Sequence, residues 1–109
     1  MTMQILTARD LAAWLADASR PAPVVLDVRE PWEIETARIA NSVSIPMQQI
    51  PARSEELDDD AEIVCVCHHG MRSAQVAMFL ASRGYTKLYN LQGGIDAWSR
   101  DVDPSVPRY

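Results

Sequence analysis

CVCHHGMRS, residues 65–73, is the stretch on which the fold turns, because an apolar run stops inside it and a helical pattern begins. Before it, EIVCV (62–66) has the length and β-branched content of a buried strand. After it, SAQVAMFLASRG (73–84) carries apolar residues at helical spacing and ends on a glycine. The junction predicts a tight strand-to-helix loop opened by Cys67, with Gly70 in a backbone conformation closed to other residues and Ser73 as the helix N-cap. The first N–H groups of a helix have no partner within it and favour an anion, so a cysteine in this loop is expected as a thiolate. Arg72 adds a cation to the same stabilisation.

Upstream, Met3 to Leu6 reads as a short edge strand, and Thr7 with Asp10 as a capping box opening a helix. Leu11, Trp14, Leu15 and Ala18 share one face of that helix, which should end near Ser19 because Arg20-Pro21-Ala22-Pro23 cannot continue it. PVVLDV (23–28) predicts a buried parallel strand with Asp27 and Arg29 at its carboxyl end. Pro31 starts a short helix to about Ala37, Val43 to Ile45 a brief strand stopped by Pro46, and Met47 to Leu57 a loop with one or two helical turns. Asp58-Asp59-Asp60 is read as a solvated turn rather than a metal site, for want of spaced ligands.

Downstream, Gly84 suits a left-handed cap, Lys87 to Leu91 a last strand, Gly93-Gly94 a turn, and Ile95 to Arg100 a final helix. The tail DVDPSVPRY (101–109) has little capacity to pack by itself, and Trp14, Trp32 and Trp98 are expected in core or half-buried packing. Strands alternating with helices imply an α/β fold: a mostly parallel sheet of about five strands, with helices on both faces.

A chain of 109 residues, 48% hydrophobic and 23% charged, suits one domain, 1–109, with its core over about 5–100. The net charge of −5 disfavours nucleic acid and anionic membrane as partners, and no apolar run approaches membrane-spanning length. Without a basic and apolar leader pattern at its start, the chain is expected in the cytoplasm. Its two cysteines, Cys65 and Cys67, are too close together to make a useful staple.

Taken together, Asp27-Val28-Arg29-Glu30-Pro31, Ile39, Ile45-Pro46, the loop Cys67 to Ser73, and Leu91-Gln92-Gly93-Gly94-Ile95 with Trp98 form a set in one order and spacing. In that set the chain resembles the rhodanese family of sulfurtransferases, over roughly residues 5–100. The resemblance implies a rhodanese-like three-layer fold and a persulfide on Cys67. The outer sulfur would come from thiosulfate or a similar small anionic donor, releasing sulfite, and pass to cyanide, a small thiol or a thiol-bearing protein. His68, His69, Gly70, Met71, Arg72 and Ser73 would bind substrate, their N–H groups holding the persulfide and Arg72 drawing in the donor. No cofactor and no metal are expected.

Four residues separate Cys67 from Arg72, one fewer than in related phosphatases, and the resemblance reads the smaller ring as a cradle for sulfur. The departures from the family pattern lie at Ala37-Arg38-Ile39, Asn41-Ser42 and Ser44-Ile45-Pro46, where Asn41 replaces a glycine but enters left-handed conformations readily. Cys65 is read as inert packing rather than a resolving thiol, and the side chains of His68 and His69 as rim groups. Cys65, Cys67, His68 and His69 come from one strand end and do not converge on a tetrahedral ion. Asp27 and Arg29 are expected to tie loops together near the site, with substrate contact as the alternative. The alternative functions are a persulfide relay or regulatory module serving a protein partner, and a phosphatase or arsenate reductase.

Overall fold

The computed structural model describes residues 3–109, in which strands and helices alternate. In chain order they are β1 (Met3–Leu6), α1 (Ala8–Ala16), β2 (Val24–Asp27), α2 (Pro31–Thr36), β3 (Val43–Ser44), α3 (Ile50–Arg53), β4 (Ile63–Val66), α4 (Met71–Ser82), β5 (Leu88–Leu91) and α5 (Gly94–Asp101). Single 3-10 turns at Met47–Gln49 and Ser54–Glu56 flank α3. The sheet runs β1-β5-β4-β2-β3, and every paired neighbour is parallel. Parallel neighbours require crossover connections, and these place helices on both faces.

β4 is the central strand, and all four of its residues are buried. The period-2 alternation of a strand divides its side chains between two cores. Val64 and Val66 pack with Leu11 and Trp14 of α1 and with Ile95 and Trp98 of α5. Ile63, Cys65 and Cys67 pack on the other face with Leu26, Val28, Ile50 and, from α4, Val76 and Leu80. Fully burying one such aliphatic side chain stabilises the fold by roughly 1.5–3 kcal/mol.

Local chemistry sets the element ends. Asp10 N–H donates to Thr7 Oγ1 at 3.1 Å and Thr7 N–H to Asp10 Oδ2 at 3.3 Å, completing the capping box of α1. That helix stops at Ala16 rather than near Ser19, because Asp17 Oδ1 accepts from the Ser19 N–H and hydroxyl and closes a turn of its own. Asn41 is left-handed at φ 65°.

Five further expectations are corrected. β3 ends at Ser44, one residue short of Ile45, and the 47–57 segment is a nearly continuous succession of helical turns. Ser73 is not an N-cap: α4 begins two residues earlier, at Met71, capped by Gly70 with φ 108°. The Trp32 side chain is exposed, whereas Trp14 and Trp98 are buried. Finally the tail packs, with Val102, Val106 and Tyr109 against the core that contains Trp98.

The start of α5 holds the loop after β4. Ile95 N–H donates to the Cys67 carbonyl at 2.9 Å and Asp96 N–H to the His68 carbonyl at 3.1 Å. These N–H groups belong to the first turn of α5 and lack partners within it, so the loop satisfies them. Gly94 makes the approach possible, since a side chain there would collide with both carbonyls, and its φ of +59° is already left-handed. Gly94→Ala is therefore expected to destabilise the protein by about 2–4 kcal/mol, through overpacking and backbone strain together. An unchanged urea midpoint for that variant would show that the loop does not depend on this contact.

Candidate active site

Cys67 follows the last residue of β4 and is 1% exposed. Gly70 N–H donates to its Sγ at 3.0 Å, and the Ser73 hydroxyl oxygen lies 3.3 Å from the same sulfur. The left-handed Gly70 turns the chain so that its own N–H points back at the sulfur while Met71, Arg72 and Ser73 enter the first turn of α4. The sulfur thus lies beside a helix N-terminus, an arrangement suited to a negative charge.

Cys65 differs. It is fully buried in the sheet, and burial first, with Cys67 second, pushes its thiol up to about 12. It stays protonated at neutral pH and packs among apolar side chains.

Arg72 does not stand free beside the sulfur. Its Nη1 and Nη2 donate to the two carboxylate oxygens of Glu33 at 2.8 and 3.0 Å, a bidentate pair linking α4 to α2. Glu33 also accepts from Tyr109 Oη at 2.7 Å and from Glu30 N–H at 3.0 Å. The Arg72 guanidinium foremost, with the Tyr109 hydroxyl and Glu30 N–H, outweighs burial and holds the Glu33 carboxyl at about 2. Arg72 is raised in return, chiefly by Glu33.

Asp27 and Arg29 form a buried pair, with Nη2 to Oδ2 at 2.7 Å. The other Arg29 hydrogens reach Asp27 through Nε, the carbonyls of Glu33 and Ala37, and Tyr109 Oη, so all five N–H groups have acceptors. These contacts tie the β2–α2 loop, α2 and the tail to one another. Tyr109 is the joint: its hydroxyl accepts from Arg29 at 2.7 Å and donates to Glu33, while burial pushes it up to about 12 and keeps it neutral.

The Tyr109 ring stacks on His68 with centroids 3.9 Å apart and planes 6° from parallel, and His68 in turn stacks on His69 at 4.0 Å. Burial first, then His69, lowers His68, so its ring is neutral at neutral pH. His69 is exposed and His68 half-buried. Nitrogens of both lie within 4.8 Å of an Asp96 carboxylate oxygen, but stacked rings direct their lone pairs side by side, and Arg108 engages both Asp96 oxygens at 3.0 and 3.2 Å.

Three residues at the site escaped the sequence analysis: Glu33, Tyr109 and Asn90. Asn90 Oδ1 accepts from Ser73 Oγ at 2.5 Å, and its Nδ2 donates to the Gly70 carbonyl at 3.0 Å. A polar residue between apolar neighbours in Leu88-Tyr89-Asn90-Leu91 was the available signal. For Tyr109, nothing in the sequence pointed to the loop.

The rhodanese-like domain model matches residues 7–101 of the chain. A sulfurtransferase of Allochromatium vinosum is 39% identical over 83 residues, which cover 76% of this chain and 78% of that protein. The thiosulfate sulfurtransferase GlpE of Coxiella burnetii is 33% identical over 88 residues, 81% of each chain. Among solved structures, a rhodanese-related protein of Thermoplasma volcanium superposes with a TM-score of 0.81 at 33% identity, covering 91% of this chain and 93% of that one. Among the described residues, no helix is long and apolar enough to cross a membrane.

The Glu33 contacts predict an acid-sensitive contribution to stability. A carboxyl lowered from its usual 4.5 to about 2 stabilises the folded state above pH 4.5 and loses that contribution as the pH falls towards 2. With Arg72 partly exposed, Glu33→Gln is expected to cost about 1–2 kcal/mol at neutral pH. Its stability curve should approach that of the parent protein in acid. A constant gap between the two urea-denaturation curves across that pH range would contradict the assignment.

Proposed function

The chain belongs to the rhodanese family of sulfurtransferases, and from that premise we propose that Cys67 is the nucleophile and carries the transferred sulfur as a persulfide. The observation that supports this most directly is the Cys67 sulfur accepting the Gly70 N–H at the mouth of α4. With thiosulfate as donor, the Cys67 thiolate attacks the outer sulfur. A new S–S bond forms as the donor's S–S bond breaks, and its electron pair leaves on sulfite. An attacking cyanide then takes the outer sulfur as thiocyanate and returns the thiolate; a thiol acceptor takes it as its own persulfide.

The backbone of His68 to Ser73 carries the donors that hold the anionic intermediate. Arg72 keeps N–H groups beyond the two spent on Glu33, and with these it draws in a small anionic donor. Asp27 and Arg29 support the site without touching substrate. The reaction is proposed to run in the cytoplasm with no cofactor or metal.

A second function, persulfide relay to a protein partner, draws support from two exposed apolar side chains. Trp32 (61% exposed) lies on α2 and Met71 (78% exposed) on α4, the two helices that the Glu33–Arg72 ion pair joins. Large apolar groups so placed suit a macromolecular acceptor better than cyanide.

Incubation with thiosulfate is expected to add one sulfur to Cys67, seen as a mass gain on the peptide containing it, and Cys67→Ser should abolish both the gain and thiocyanate production. Retained thiosulfate:cyanide activity in that variant would eliminate the mechanism. For the cation, Arg72→Ala should lower kcat/KM for thiosulfate by about tenfold or more, equivalent to at least ~1.4 kcal/mol, and have much less effect with an uncharged sulfur donor. Equal losses for the two donors would argue against anion binding by Arg72.

A further inference from the structure

Two neighbours act on the Cys67 sulfur in opposite senses. The Gly70 N–H can only donate, and at 3.0 Å it favours the thiolate. The Ser73 hydroxyl has one hydrogen, and Asn90 decides where that hydrogen goes. The Gly70 carbonyl can only accept, so it takes the Asn90 NH2 at 3.0 Å and fixes the amide orientation. Oδ1 is thereby presented to Ser73, 2.5 Å from its oxygen. With the hydrogen directed to Asn90, the Ser73 oxygen faces the sulfur at 3.3 Å through a lone pair, which suits an S–H group and opposes a thiolate.

We propose that Asn90 is a positioning residue: by taking the Ser73 hydrogen it turns Ser73 into an acceptor towards Cys67 and withholds from the sulfur a donor that would otherwise assist its reaction. Once the sulfur is anionic, Ser73 can donate to it only by releasing Asn90 Oδ1, a buried acceptor that then loses its partner. Asn90 thus tempers the reactivity of the sulfur before a donor arrives. This rests on Cys67 as the sulfur carrier, yet its test needs no sulfur transfer.

The test is the pH profile of Cys67 alkylation by iodoacetamide, with the modified cysteine located by mass spectrometry. Asn90→Leu removes the acceptor and frees the Ser73 hydrogen. Below the profile midpoint of the parent protein, alkylation should then be faster by about threefold to tenfold, the span of one ordinary hydrogen bond. Asn90→Asp keeps an acceptor towards Ser73 while losing the donor to Gly70, so its alkylation should be no faster than that of the parent. In a Ser73→Ala background, Asn90→Leu should leave the profile where Ser73→Ala alone puts it. The proposal is overturned if Asn90→Leu gives no acceleration, if Asn90→Asp accelerates as much as Asn90→Leu, or if the effect of Asn90→Leu is equal with and without the Ser73 hydroxyl. Thiosulfate loading of the parent protein, followed separately, tells failure of this role from failure of Cys67 as the carrier.

Discussion

The site depends on the two hydrogen bonds by which the start of α5 holds the carbonyls of Cys67 and His68. A parallel strand ends with its last carbonyls unpaired unless something at the sheet edge takes them, and a helix begins with N–H groups in the same need. Here each deficit meets the other, across a gap so narrow that only a glycine fits at position 94. With the start of the loop held, Gly70 can reverse the chain and return its N–H to the Cys67 sulfur.

The second layer of support is electrostatic. Arg29 is fully buried, a position that would cost several kcal/mol without partners, and it is tolerated because Asp27, two carbonyls and the Tyr109 hydroxyl use all of its donors. The Glu33 carboxylate accepts four hydrogen bonds from three other residues and connects this pair to Arg72 beside the loop. The cation beside the cysteine is therefore partly neutralised and oriented in the same contact. Tyr109 belongs to both halves of the network and also covers His68, so the last turn of the chain is part of the wall around the site.

Much of the local physics could be read from the amino-acid order. The apolar run ending at Val66, the left-handed glycine at position 70, the capping box at Thr7 and Asp10, and the alternation of strands and helices all follow from spacing and side-chain type, and each has its counterpart in the structure. Where expectation and structure part, a longer-range partner or a competing local bond intervenes. Asp17 ends α1 early by accepting from Ser19, and Ser73 is drawn from a capping role into hydrogen bonding with Asn90, a strand away.

By itself, then, the sequence determined that this is a parallel α/β protein with a cysteine at a strand-to-helix junction, because periodicity and glycine placement are written along the chain, and the order of its motifs carried the resemblance to the rhodanese family. Only the tertiary structure decided which side chains surround that cysteine. Glu33, Asn90 and Tyr109 come from three distant segments, and hydrogen bonds between residues 17, 39 and 76 positions apart leave no period or spacing to read. The partner of Arg72 is the plainest case: the cation is visible in the loop, but the carboxylate that orients it comes within 3 Å only when α2 is packed beside α4.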